Sequence, residues 1–331
     1  MRPRTQIAAL AVVVTIAIGT TALPAMAGTE GSSTGSFNLG NAAPQVTAVA
    51  LYNESHSSST DNMDPQTEYA VKIDIYDANT LNDTDEIQVI IKTNATGTGA
   101  SDNATDKATY RWTPTGNWIK VGPSGGTWSI DTTQSSKPDD LGATAGTWWL
   151  NFVPGKVARE SNAWDIYVKV TDKGGLTGDN ISWGYKMNWY GEISAVNNSY
   201  SFGDIGLGDT DKPISTPSDG NIDVKTISNG NYKLSSKSGN WSNESNVAVL
   251  DWEGTLEAGH FALKVDGSGD VSSSDNVSTT SEPITDYSDV NAPTAEDGDI
   301  KQIYQWISVA DSGLLPGTYS GTYYVQIADA A

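Results

Sequence analysis

Apolar residues in this chain recur at every second position, and that period decides what it can fold into. In Glu68–Asp77, Tyr69, Val71, Ile73 and Ile75 fall on one side, with Ala70, Lys72, Asp74 and Tyr76 on the other. Ile87, Val89 and Ile91 repeat the pattern, as do Trp164, Ile166, Val168 and Val170. Side chains alternate across a strand, so such stretches predict strands with one buried face. Val46–Tyr52, Ala108–Thr113, Trp118–Val121, Thr147–Val153 and Ile181–Tyr190 are further candidates. A second set comprises Ile222–Ser228, Tyr232–Ser236, Val247–Trp252, Phe261–Val265, Ile303–Val309 and Tyr319–Ile327. No stretch keeps a 3.6-residue period over helical length. Asn, Asp, Gly and Pro clusters separate the strands, so the fold class expected is all-β, two antiparallel β-sandwich domains in tandem.

Met1–Ala27 reads as a signal peptide. Arg2 and Arg4 precede the apolar run Ile7–Ile18, and Ala25 and Ala27 are the small residues of a cleavage site. The organisation expected is a signal peptide at 1–27, a Gly/Ser/Thr-rich flexible leader at 28–43, one sandwich at 44–192 and a second at 193–331. Within the second, Val271–Asp299 lacks alternation over about 29 residues, which predicts a mobile polar excursion. Asn229-Gly230 between two strands predicts a tight hairpin. No other run is apolar enough to span a bilayer, so no transmembrane anchor is expected after cleavage. The expected location is outside the cytoplasm, secreted or at the cell surface.

Composition removes several functions. The net charge of −21 disfavours binding of nucleic acid, and the absence of Cys removes thiolate metal sites and Cys nucleophiles. Only two His are present, His56 and His260, and no nucleophile-elbow or zinc-protease motif accompanies them. A secreted glycoside hydrolase would need two carboxylates, for which Asp251 and Glu253 are the candidates by type. The chain is otherwise read as no enzyme.

Asp64-Pro65-Gln66-Thr67-Glu68-Tyr69 leads into a strand that ends Asp77-Ala78-Asn79-Thr80-Leu81-Asn82-Asp83, and a later strand ends Val170-Thr171-Asp172-Lys173-Gly174-Gly175-Leu176. These turns resemble immunoglobulin-like modules of secreted archaeal surface proteins. Phe202-Gly203-Asp204-Ile205 and Leu315-Pro316-Gly317-Thr318-Tyr319 are similar to turns in β-sandwich subunits of surface layers, pili and matrix fibres. The resemblance implies an immunoglobulin-like fold and a structural role.

Calcium is the ion the donors suit, since oxygen ligands bunch at strand ends. Asp77, Asn79, Asp83, Asp85 and Glu86 form the first cluster. Asp204, Asp209 and Asp211 form another, and Asp266, Asp270 and Asp275 a third. Nine N-x-[ST] triplets start at Asn53, Asn82, Asn94, Asn103, Asn180, Asn197, Asn240, Asn243 and Asn276, which suits a surface glycoprotein. Of the paired Trp148 and Trp149, one should point out of the core. Trp148, Trp149 and Tyr190 are therefore candidates for stacking on surface glycans, with a Trp-rich core as the alternative.

The function expected is a structural protein of the cell surface, a self-assembling filament or surface-layer subunit whose partners are other copies of itself. In one version leader residues Ser36–Leu51 add a strand to the next copy. The alternative is a glycan-binding or adhesion module.

Overall fold

A computed structural model describes residues 34–93, 103–197, 199–251, 256–292 and 295–330. The signal peptide, Asn94 and Glu253 lie outside the described residues. The chain is all-β. The described residues from Asn41 onward form one compact unit.

The first set of strands is β1 (Gln45–Asn53), β2 (Asn62–Met63), β3 (Tyr69–Tyr76), β4 (Thr84–Thr93) and β5 (Lys107–Thr113). It continues through β6 (Asn117–Gly122), β7 (Ser129–Ser136), β8 (Ala145–Val153), β9 (Ser161–Asp172) and β10 (Thr177–Met187). One sheet has the order β1-β3-β8-β7 and the other β2-β10-β9-β4-β5-β6. Their inner faces meet over Val71, Ile73, Trp148, Leu150 and Phe152 from one sheet and Ile87, Val89, Ile91, Ile166 and Val168 from the other. Each is the alternate residue of its strand, as face-to-face packing requires. All pairs are antiparallel except β2 with β10.

The second set is β11 (Gly191–Ala195), β12 (Lys212–Pro213), β13 (Asn221–Ser228), β14 (Tyr232–Ser238), β15 (Trp241–Asn243) and β16 (Asn246–Leu250). It ends with β17 (His260–Asp266), β18 (Asp275–Asn276), β19 (Glu282–Pro283), β20 (Asp299–Val309) and β21 (Tyr323–Asp329). The larger sheet runs β11-β13-β20-β17-β16-β15 and the smaller β19-β14-β21. Val224, Leu234, Phe261, Leu263, Val265 and Ile303 make the second core.

Three expectations are corrected here. Asn229-Gly230 closes no hairpin, because β13 pairs with β11 and β20 while β14 pairs with β19 and β21. The dipeptide instead carries the chain from one sheet to the other. Asn229 Nδ2 donates to the carbonyls of Ala158 and Asn188, both at 2.8 Å, and so ties the second set of strands to the first.

Second, 271–299 is no polar excursion. β18 pairs with β17, β19 pairs with β14, and Val277 and Ile284 are buried in the core. Two apolar side chains and a few ladder bonds suffice to hold such a segment, and they are too sparse to show as alternation. Its head is pinned by Asp266, whose Oδ1 accepts N–H bonds from Ser268, Gly269 and Asp270 at 2.6, 2.6 and 3.1 Å. Burial alone would raise this carboxyl, but the Ser268 hydroxyl and those N–H groups outweigh it and hold it below its ordinary value. A depressed folded-state value gives stability that is complete above the unfolded value, about pH 4, and lost as pH falls through the folded one. Chemical denaturation between neutral and acid pH should therefore show a loss that Asp266→Asn lessens; equal slopes would remove this role.

Third, β1 is not free to be donated. It pairs with β3 along its length. Its outer side is covered as well: Asn180 Nδ2 donates to the Val46 carbonyl at 3.0 Å, and the Leu51 N–H donates to the Tyr185 hydroxyl at 3.3 Å. Thr60 N–H donates to the Leu51 carbonyl at 3.0 Å.

Candidate functional site

Three carboxylates converge at one end of the first sandwich. Asp77 follows β3, Asp83 ends the 3-10 turn Leu81–Asp83, and Asp172 ends β9. Leu81 is buried and drives that turn into the core, and its N–H donates to the Ala143 carbonyl at 2.8 Å. Lys173 N–H donates to the Asp83 carbonyl at 2.8 Å, which holds the turn against the end of β9. One carboxylate oxygen from each of Asp77, Asp83 and Asp172 lies within 4.8 Å of the other two. β3 and β9 belong to opposite sheets, so the cluster bridges the sandwich.

Asp77 and Asp172 are buried and Asp83 is half-buried. Asp172 accepts from Leu176 N–H and from Asn41 Nδ2, each at 2.8 Å. Asp77 Oδ1 accepts from Asn79 N–H at 2.8 Å, whereas Asp77 Oδ2 is buried without a partner. Thr84 Oγ1, next to Asp83 in the chain, is also buried without a partner. None of the three acids pairs with Lys or Arg among the described residues.

This set differs from the cluster expected. Asp85 lies exposed on β4, and Glu86 points to Arg111 at 3.9 Å; a register shift between Thr84 and Glu86 in the ladder with β9 breaks the alternation and turns both outward. Asn79 turns its Oδ1 to the N–H of Ala42 at 2.6 Å. Asp172 takes part instead. Its signal was in the sequence: Asp77 and Asp172 each end a strand, and each stands four residues before a Leu. The other acidic groups anchor turns. Asp209 Oδ2 accepts from Gly206 N–H, Asp211 pairs with Lys264 at 3.0 Å, and Asp275 accepts from Thr285.

The candidate glycan-stacking surface does not form. Trp148 is fully buried, edge-on to Trp112 at 5.7 Å, because it shares parity with the inward Leu150 and Phe152. Trp149 faces the other way, but its ring is stacked on His56 at 4.0 Å and 3°, so that face is covered. Tyr190 donates its hydroxyl to Glu192. Burial first, then that bond, push its phenol up. Burial would likewise raise Glu192, yet Lys156 and Tyr190 hold it below its usual value. Among the described residues the exposed tryptophan is Trp183 on β10, at 66%, which strand parity did not single out.

Of the hydrolase pair, Asp251 follows β16 and contacts His260 Nδ1 at 3.4 Å, and Glu253 lies outside the described residues. A cleft of about 740 Å³ opens elsewhere in the second sandwich, between Tyr200, Phe202 and Trp241 on one side and Leu314–Tyr319 on the other. Of the sequons, Asn82, Asn103, Asn240 and Asn276 are exposed, while Asn53, Asn180, Asn197 and Asn243 are half-buried.

No family model matches the chain, and no curated protein matches it. Among solved structures it is similar to a DUF4466 family protein from Parabacteroides merdae, at 14% identity and TM-score 0.28, over 82% of this chain and 100% of that one. It is also similar to BcpA, the major pilin subunit of Bacillus cereus, at 10% identity and TM-score 0.25, over 82% of this chain and 57% of that one. A third likeness is to the C-terminal domain of the AgI/II polypeptide BspA of Streptococcus agalactiae, at 10% identity and TM-score 0.24, over 86% of this chain and 95% of that one. TM-scores this low fix neither topology nor role.

Proposed function

We propose that the chain is an exported structural protein of the cell surface that acts by assembling with further copies of itself, and that it is not an enzyme. The observation that carries this reading is mechanical: both sandwiches belong to one compact unit, Asn41–Ala331. Asn229 holds them together through Ala158 and Asn188, and Lys156 pairs with Glu192 at 2.8 Å across the same junction. A block stiffened in this way transmits load and presents its faces in a fixed relation, as a lattice or filament subunit must. The signal-peptide pattern of Met1–Ala27 and the acidity support export to a hydrated surface. Glycans would be carried at exposed Asn82, Asn103, Asn240 and Asn276, and the half-buried Asn180 is engaged with Val46.

Trp183 is the aromatic that a neighbouring copy would cover, since Trp is enriched at interfaces and is here two-thirds bare. Light scattering of the chain from Gly28 onward should show mass rising with concentration, and Trp183→Ala should weaken that association about tenfold or more. A monomer at every concentration, salt level and calcium level would sink the assembly reading.

A further inference from the structure

We propose that Asp77, Asp83 and Asp172 form a calcium site that joins the two sheets of the first sandwich and holds Asn41 and Ala42 against it. The inference stands apart from self-assembly, which needs no ion.

Two independent observations meet at this place. The first is the convergence of three carboxylates, with oxygens within 4.8 Å and no Lys or Arg paired to them. Like charges so close, two of them buried, oppose one another in a region of low polarity unless a cation sits among them. The second is the state of Asp77. It is 0% exposed, yet its Oδ2 has no donor. Buried polar atoms in folded proteins are almost always satisfied, so an orphaned carboxylate oxygen within an acidic cluster is a ligand available to a cation. Thr84 Oγ1, a second orphan, lies on the residue paired with Asp172 in the ladder between β4 and β9.

The donor chemistry selects the ion. All the ligands are oxygens, which suits a hard cation and not zinc or copper. They come from two strand ends and a 3-10 turn, an irregular arrangement that calcium accepts with carbonyls and waters completing its shell. Magnesium demands a near-ideal octahedron and keeps most of its water.

The same carboxylates hold the start of the compact unit. Asn41 Nδ2 donates to Asp172 Oδ2 at 2.8 Å, across a position where Gly174 leaves room for the amide. Ala42 N–H donates to Asn79 Oδ1 at 2.6 Å, and Asn79 N–H in turn donates to Asp77 Oδ1 at 2.8 Å. An ion that immobilises Asp77 and Asp172 therefore immobilises Asn41 and Ala42 through one and two hydrogen bonds.

The test uses the chain from Gly28 onward, freed of metal by chelation and dialysis. Calorimetric titration with calcium chloride, with native mass spectrometry to count ions, should give one calcium per chain. Asp83→Asn should weaken binding about tenfold or more and, because it removes one of three mutually repelling charges, should not lower the calcium-free melting temperature. Calcium should slow amide exchange at Asn41–Ala43. Asn41→Ala should bind calcium as the parent does and lose most of that slowing. No binding at millimolar calcium, or unchanged affinity in Asp83→Asn, would overturn the site. Magnesium binding as tightly would overturn the choice of ion. Calcium binding with no change in exchange at Asn41–Ala43 would overturn the coupling.

Discussion

Trp148→Ala lowers the unfolding free energy by about 3–5 kcal/mol, and Trp149→Ala, one residue on, by less than about 1.5 kcal/mol. Trp148 is fully buried and sits edge-on to Trp112, so truncation leaves a cavity that two rigid sheets cannot close. Trp149 loses its stack on His56 and its edge contact with Tyr52 at 5.2 Å, both near solvent. Trp148→Phe separates volume from polarity. The Trp148 Nε1 is buried without a partner, so removing it relieves a desolvated donor, and the net loss should stay under about 2 kcal/mol. Urea unfolding followed by tryptophan fluorescence measures all three. A loss in Trp149→Ala equal to that in Trp148→Ala would mean that the two rings share the core.

Asn229→Ala should lose about 2–3 kcal/mol and, more tellingly, separate the melting of the two sandwiches. Asn229 is 4% exposed, and its amide serves two carbonyls across the junction. Its Oδ1 also accepts from Tyr190 N–H at 2.7 Å, and its carbonyl accepts from Glu160 N–H at 3.1 Å. Alanine keeps the last of these bonds and strands the other partners. Scanning calorimetry should show one endotherm for the parent and two for Asn229→Ala. Asn231→Ala, which removes an exposed contact with Asp289 at 3.1 Å, should change stability by less than about 0.5 kcal/mol. A single unshifted endotherm in Asn229→Ala would show that the tie is dispensable.

How much of this was legible in the sequence follows from what alternation can report. Strands buried on one face, such as β3, β4, β9 and β13, were written out residue by residue. β7 was not, because Ser129–Ser136 is an edge strand with little buried side chain, held by its backbone pairing to β8. Trp148 shares parity with Leu150 and Phe152, a clue that could have placed it inside but was not used when both Trp148 and Trp149 were kept as glycan-stacking candidates. Asn229-Gly230 misled because the dipeptide specifies a local bend and says nothing about which sheet receives the next strand. At the acidic cluster, Asp77 and Asp83 were found by nearness in the chain, and Asp172 was missed because only the packing of two sheets brings it there. The matching strand-end Asp and following Leu were the available clue.

The covered flank of β1 has a consequence for how sheets of different copies could meet. Asn180, Tyr185 and Thr60 occupy backbone groups that would otherwise be open to any passing strand. A bare flank there would let sheets grow without limit into amyloid. With it closed, no strand from another chain can extend this sheet at β1, and that flank offers side-chain contacts instead.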